Sequence, residues 1–251
     1  CSICPNMRHG AILLDNAPFA CILVYHATPS PHRNLMTNSQ TQDLTAQQDA
    51  AERHLRSGQW GLLARLLVSP PDQGLLSVLG GLGDDSSALG QAYAALARKA
   101  AATTQEAVAQ EFFDLFVGVG RGELLPYASF YLTGFLNERP LADLRRDLAA
   151  MGVARATGRH EPEDHIASLA DIMAGLAEGR FDAGILGCGK VGEAGFFARH
   201  LEPWASQFFD DLAVAQSADL YRCVAEIGRI FMDIEARAFA LAAAENGATR
   251  H

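Results

Sequence analysis

The sequence predicts an all-α protein, and three observations lead there. From Asp43 onward apolar residues recur at three- and four-residue spacing, the repeat of amphipathic helices. No stretch of four to eight residues alternates apolar with polar as a half-buried strand does. The breaks between periodic segments are short and carry glycine or proline, so about ten helices with short links pack as an irregular single-domain bundle.

The segments 46–56 and 60–68 read as an opening pair of helices, ended by Ser69-Pro70-Pro71. Pro71 suits the first turn of a short helix that runs to Leu79 and stops at Gly80-Gly81. Ser86 or Ser87 can cap a helix through Ala102. Thr104 opens another, whose Val108, Phe112, Leu115 and Phe116 share one face until Gly118. Gly118, Gly120 and Gly122 interrupt the pattern. Pro126 then starts a helix carrying Tyr127, Phe130, Tyr131 and Phe135, and Pro140 starts the next, through Ala150. A helix over 164–176 places Ile166, Leu169, Ile172, Met173 and Leu176 on one side. After a glycine-rich link, two last helices run from Phe196 or Trp204 to Ala215 and from Ala218 to Ala243.

Composition excludes more than it identifies. The 251 residues are 49% hydrophobic with a formal charge of -9, and only Lys99 and Lys190 among the 20 basic residues are lysines. No basic stripe of the kind that tracks phosphate backbones is present, so nucleic acid is not an expected partner. No apolar run reaches the roughly 18 to 20 residues that span a bilayer. Five scattered cysteines make no disulfide framework and fit a reducing, cytoplasmic setting.

Residues 1–35 differ from the rest. They hold Cys1, Cys4 and Cys21, three histidines and four prolines, and their apolar stretch 11–25 follows Arg8 and is broken by Asp15, Asn16 and Pro18. An unbroken apolar core and a small-residue cleavage site, the marks of a signal peptide, are missing. Residues 1–35 are therefore expected to be a non-native or disordered leader, and 36–251 the helical domain with its start at Met36. Cys1-x-x-Cys4 lacks the second ligand pair of a zinc site and the strand-to-helix setting of a redox site.

Several patterns imitate chemistry. Gly187-Cys188-Gly189-Lys190-Val191-Gly192 matches a dinucleotide fingerprint, and the segment from Gly184 to Lys190 matches most of a phosphate loop. Val191 supplies no hydroxyl for magnesium, and no buried strand precedes the loop. A connector is the better reading, and a nucleotide-binding helical factor or small enzyme using Gly184 to Lys190 is the alternative. His160 and His165 straddle Pro162 and do not share a helical face as zinc ligands would. No catalytic residue, metal ligand or cofactor site is expected.

Three segments are denser in polar and aromatic residues than a plain bundle requires: Pro126-Tyr127-Ala128-Ser129-Phe130-Tyr131-Leu132, then Glu161-Pro162-Glu163-Asp164-His165-Ile166, then Phe196-Phe197 followed by His200 and Pro203-Trp204. In that order and spacing they resemble the TorD/DmsD/NarJ family of chaperones for molybdenum-containing oxidoreductases. Asn137-Glu138-Arg139-Pro140-Leu141 and the run Phe208, Phe209, Leu212, Tyr221 and Phe231 are similar to the branch associated with formate dehydrogenases. The resemblance implies a non-enzymatic cytoplasmic chaperone. It would bind the twin-arginine signal peptide or apo form of a molybdoenzyme until the molybdopterin cofactor is inserted, as a monomer or a helix-exchanged dimer. Such a leader has a cationic front and an apolar middle, so its receptor needs carboxylates beside an aromatic-lined groove. Glu161, Glu163 and Asp164 are the expected carboxylates, and Tyr127, Tyr131 and Trp204 the expected aromatics, with Ser129 beside them. The resemblance implicates Asp164 and His165 most directly. Both also have a structural reading, Asp164 as a helix cap and His165 as packing between helices.

Overall fold

A computed structural model describes residues 23–25, 40–83, 85–155, 161–181 and 192–248. Ten α-helices lie among the described residues: α1 Gln40–Val68, α2 Gln73–Gly80, α3 Ala88–Ala102, α4 Gln105–Phe112, α5 Ala128–Thr133, α6 Arg139–Ala150, α7 Ile166–Ala177, α8 Glu193–His200, α9 Ala205–Val214 and α10 Leu220–Ala248. None is long and apolar enough to cross a membrane. The all-α expectation holds, with one addition. Leu23–Tyr25 (β1) and Val153–Arg155 (β2) form an antiparallel ladder in the register Leu23 to Arg155, Val24 to Ala154 and Tyr25 to Val153. Three residues per strand are too few to show alternation in a sequence.

α7 is the central element. Ten of its residues, from Ile166 to Ala177, are buried on every side, as expected of a helix that is apolar all round. α1 lies along it, α10 packs on α9 and α3, and α2 packs on α3. Their shared core holds Trp60, Phe196, Phe197, Phe208, Phe209, Tyr221 and Phe231. Trp60 meets Phe231 edge to face, with ring centroids 4.8 Å apart.

The expected opening pair is one helix. Ser57 and Gly58, read as the break, lie inside α1. A glycine within a helix costs only about 1 kcal/mol, and tertiary contacts outweigh it: Ser57 is buried and its hydroxyl donates to Glu178 Oε1 at 2.7 Å, at the end of α7. Elsewhere local chemistry sets the boundaries. Asp72, Ser87 and Thr104 accept backbone N–H groups of Leu75, Gly90 and Ala107 and so cap α2, α3 and α4. α4 ends in a single π-helical turn, Phe113–Val117, closed by Gly118 at φ 63°, a left-handed value that favours glycine. α10 begins on Glu111, whose carboxylate accepts the N–H groups of Asp219, Leu220 and Tyr221.

Residues 1–22 and 26–35 of the expected leader lie outside the described residues, as do the expected start at Met36 and the loop from Gly184 to Lys190 with the nucleotide alternative.

Candidate functional site

The two segments singled out in the sequence are bound to each other. Ile166 N–H donates to Pro126 O at 2.9 Å and Ala128 N–H to Asp164 O at 3.0 Å, so Tyr127 and His165 form an isolated antiparallel bridge. The Ser129 N–H donates to Asp164 Oδ2 at 2.8 Å. Pro126 therefore does not start α5. Its carbonyl is committed to Ile166, and the helix begins at Ala128. Asp164 does cap a helix, but it is α5 and not α7. The cap of α7 is His165, whose Nδ1 accepts from Ala167 N–H at 3.1 Å.

This bridge separates two clefts. The first, about 380 Å³, has Asp164 and Ala128 on one wall, with Leu132, Asp143, Leu144, Asp147, Leu169 and His200 around it and Arg139, Arg146 and Arg199 at its rim. Asp164 and Ser129 are wholly buried, and Asp164 Oδ1 and Ser129 Oγ have no hydrogen-bond partner among the described residues. A buried carboxylate oxygen without a donor is costly, and such a group calls for an explanation beyond packing. His200 Nε2 lies 2.7 Å from Asp147 Oδ2; burial lowers its pKa, with Asp147 opposing.

The second cleft, about 200 Å³, has an apolar floor of Leu67, Val68, Phe112, Phe116, Val117 and Pro126, with Tyr127, Arg155, Glu161, Glu163, His165 and Ser168 above it. Tyr127 donates its hydroxyl to Glu161 and meets the His165 ring edge-on at 5.1 Å. Partial desolvation and the Asp164 charge raise the pKa of Glu161. Glu163 is also partly desolvated, but the Arg145 hydrogen bonds at 2.8 and 3.0 Å, with the charges of Arg145 and Arg155, hold its pKa below the usual value. Burial lowers the pKa of His165 to about 4, leaving a neutral ring.

The eight expected residues thus divide. Tyr127, Glu161, Glu163 and His165 line the second cleft and Asp164 the first, with Ser129 buried between them. Tyr131 and Trp204 do not form an aromatic groove with Tyr127. Trp204 is 2% exposed and donates Nε1–H to His200 O at 2.7 Å. Tyr131 packs against it at 5.3 Å and donates to Asp211. Their apolar faces complete the core, so the aromatic lining falls instead to Phe112 and Phe116. Those two share a helical face in the sequence, but nothing in it turns that face toward Tyr127. Nor does the sequence place Arg145, eighteen residues from Glu163, on that carboxylate.

Residues 83–210 match the model of the family described as "nitrate reductase delta subunit". The chain belongs to this family. The match runs from just before α3 into α9 and includes both bridged segments. Among curated relatives, a chaperone protein TorD from Vibrio cholerae serotype O1 is 32% identical over 129 residues, 50% of this chain and 59% of that protein. A chaperone protein TorD from Aliivibrio fischeri is 40% identical over 68 residues, 26% of this chain and 32% of its own. The chain thus spans less than two thirds of the curated relatives it matches. A solved structure from Archaeoglobus fulgidus, described as a redox enzyme maturation protein, aligns over 80% of this chain and 99% of its own at 16% identity and a TM-score of 0.44.

Proposed function

We propose that this protein is a cytoplasmic chaperone for a molybdenum-containing oxidoreductase. It binds the twin-arginine leader or the apo form of its client and holds it for molybdopterin insertion before export. Membership of a family whose relatives are named chaperones supports the class, and a binding role needs no covalent step. The observation that carries the leader reading is Asp164, a residue of the larger cleft: one carboxylate oxygen fixes α5 while the other is buried with no donor among the described residues. A guanidinium of the leader would supply it. Glu161 at the mouth of the second cleft offers a further carboxylate, whereas Glu163 is already neutralised by Arg145 and Arg155. The apolar floor beside Glu161 suits the leader's middle segment.

The test is calorimetric titration of a twin-arginine leader peptide into the unsubstituted protein and Asp164→Asn. A charge-assisted hydrogen bond contributes about 1.5–3 kcal/mol, so affinity should fall roughly tenfold to hundredfold. Equal affinity would remove Asp164 from the site. Resemblance points to a formate dehydrogenase as client, and mass spectrometry of what co-purifies with the full chain tests that identity.

A further inference from the structure

β2 reaches the second cleft. Arg155, its last residue, lines that cleft and pairs with Glu163 at 3.8 Å. The strand Val153–Arg155 therefore ends beside the cleft that holds Tyr127, Glu161 and His165. That edge is occupied by β1, Leu23–Tyr25, which also lies beside α7. Strand edges bind extended peptides through backbone N–H and C=O groups, with little demand on sequence. A two-stranded ladder of three residues a side is too small to be stable by itself, so a competitor can replace one strand. β1 ends the apolar stretch 11–25 that follows Arg8, the same order of cation and apolar segment that a twin-arginine leader presents.

We propose that β2 is a strand-addition site for an extended apolar peptide, and that Leu23–Tyr25 is its resident occupant, competing in cis with the client's leader. The identity of the competitor rests on the leader-binding reading; the strand-addition site does not. Leader binding would displace β1 and place the leader's apolar segment beside the floor of the second cleft. The chain would then accept a client only when the leader outcompetes its own strand.

Successive N–H groups of a strand point to opposite edges, so Leu23→Pro with Val24→Pro removes whichever donor faces β2. In the full chain, this double variant should bind a labelled twin-arginine leader peptide about tenfold tighter, the gain expected if the free edge is populated about one tenth of the time. A labelled peptide of residues 16–30 should bind the variant, compete with the leader and restore slow amide exchange at Val153–Arg155. In the unsubstituted protein, saturating leader should speed exchange at Leu23–Tyr25 while Val153–Arg155 stay protected, a readout that needs no variant. Failure of the 16–30 peptide to bind and protect the variant overturns the strand-addition site. Unchanged protection of Leu23–Tyr25 under saturating leader overturns the competition. If neither protein binds leader while the 16–30 peptide still binds and protects, the leader reading falls and the strand-addition site stands.

Discussion

The Ser129 backbone N–H and Asp164 Oδ2 lie 2.8 Å apart although 35 residues separate them, and this bond fixes the start of α5 against the turn that leads into α7. It makes one side chain serve two ends. The Oδ2 atom is structural, and the Oδ1 atom is buried without a partner among the described residues.

Removing the whole side chain and removing only its charge should therefore separate. Asp164→Ala leaves the buried Ser129 N–H without an acceptor, a loss of about 1–3 kcal/mol. Asp164→Asn keeps an amide oxygen for that N–H and should lose less than half as much. Urea denaturation of the two variants measures the difference, and equal losses would mean that the hydrogen bond contributes little.

His165 gives the fold a pH dependence of known sign. Its pKa is about 4 in the folded protein against an ordinary 6.5, because burial disfavours the imidazolium. Between those values the unfolded chain binds the extra proton, so its contribution is complete above pH 6.5 and is lost as pH falls towards 4. The loss across that window is on the order of 3 kcal/mol. His165→Asn retains an oxygen to cap α7 and removes the titration. Denaturation midpoints of the two proteins should converge as pH drops through this range. Parallel pH profiles would show that His165 does not titrate there.

What was legible in the sequence was local. Ser87 and Thr104 accept the N–H groups three residues on, as capping chemistry requires, and Pro140 lies in the first turn of α6. What was not legible depends on distant partners. Ser57-Gly58 reads as a break until Glu178 is found against the serine. Asp164 looks like the cap of the helix that follows it, yet it caps α5, because the bridge between Tyr127 and His165 brings Ser129 beside it. Trp204 reads as part of an aromatic groove, but α9 turns it inward, where His200 O takes its indole N–H. The residue types of the candidate site could be read from the chain. Their division between two clefts could not, since it follows from the crossing of segments 35 residues apart.

Glu235 is a second buried carboxylate, and here every partner is present. At 1% exposure it accepts from Arg56 Nε at 2.8 Å, Arg56 Nη2 at 2.6 Å and Trp60 Nε1 at 3.1 Å, tying α10 to α1. Glu235→Ala leaves the buried Trp60 indole N–H without its acceptor and Arg56 with Glu193, 2.6 Å away, as its remaining carboxylate, a loss of about 1–3 kcal/mol. Arg56→Met should cost less in the Glu235→Ala background than in the unsubstituted protein, because the two hydrogen bonds from Arg56 to Glu235 are already gone there. A double-mutant cycle by chemical denaturation measures this coupling, and strict additivity would show that the pair is not coupled.

Two glycines inside long helices should answer the same substitution with opposite signs. Gly61 of α1 has open space where a Cβ would stand, so Gly61→Ala adds helix propensity and should stabilise by about 0.5–1 kcal/mol. Gly228 of α10 faces α9, and a Cβ there would enter the ring of Phe209, which is itself 1% exposed and has no room to retreat. The propensity gain is the same, but the overpacking cost of about 1–3 kcal/mol exceeds it. Gly228→Ala should lower the melting temperature while Gly61→Ala raises it. Gly228→Ala with Phe209→Leu should regain part of the loss, because the smaller side chain vacates the space the new methyl needs. A Gly228→Ala protein that melts no lower than the unsubstituted one would show that α9 and α10 do not pack this closely.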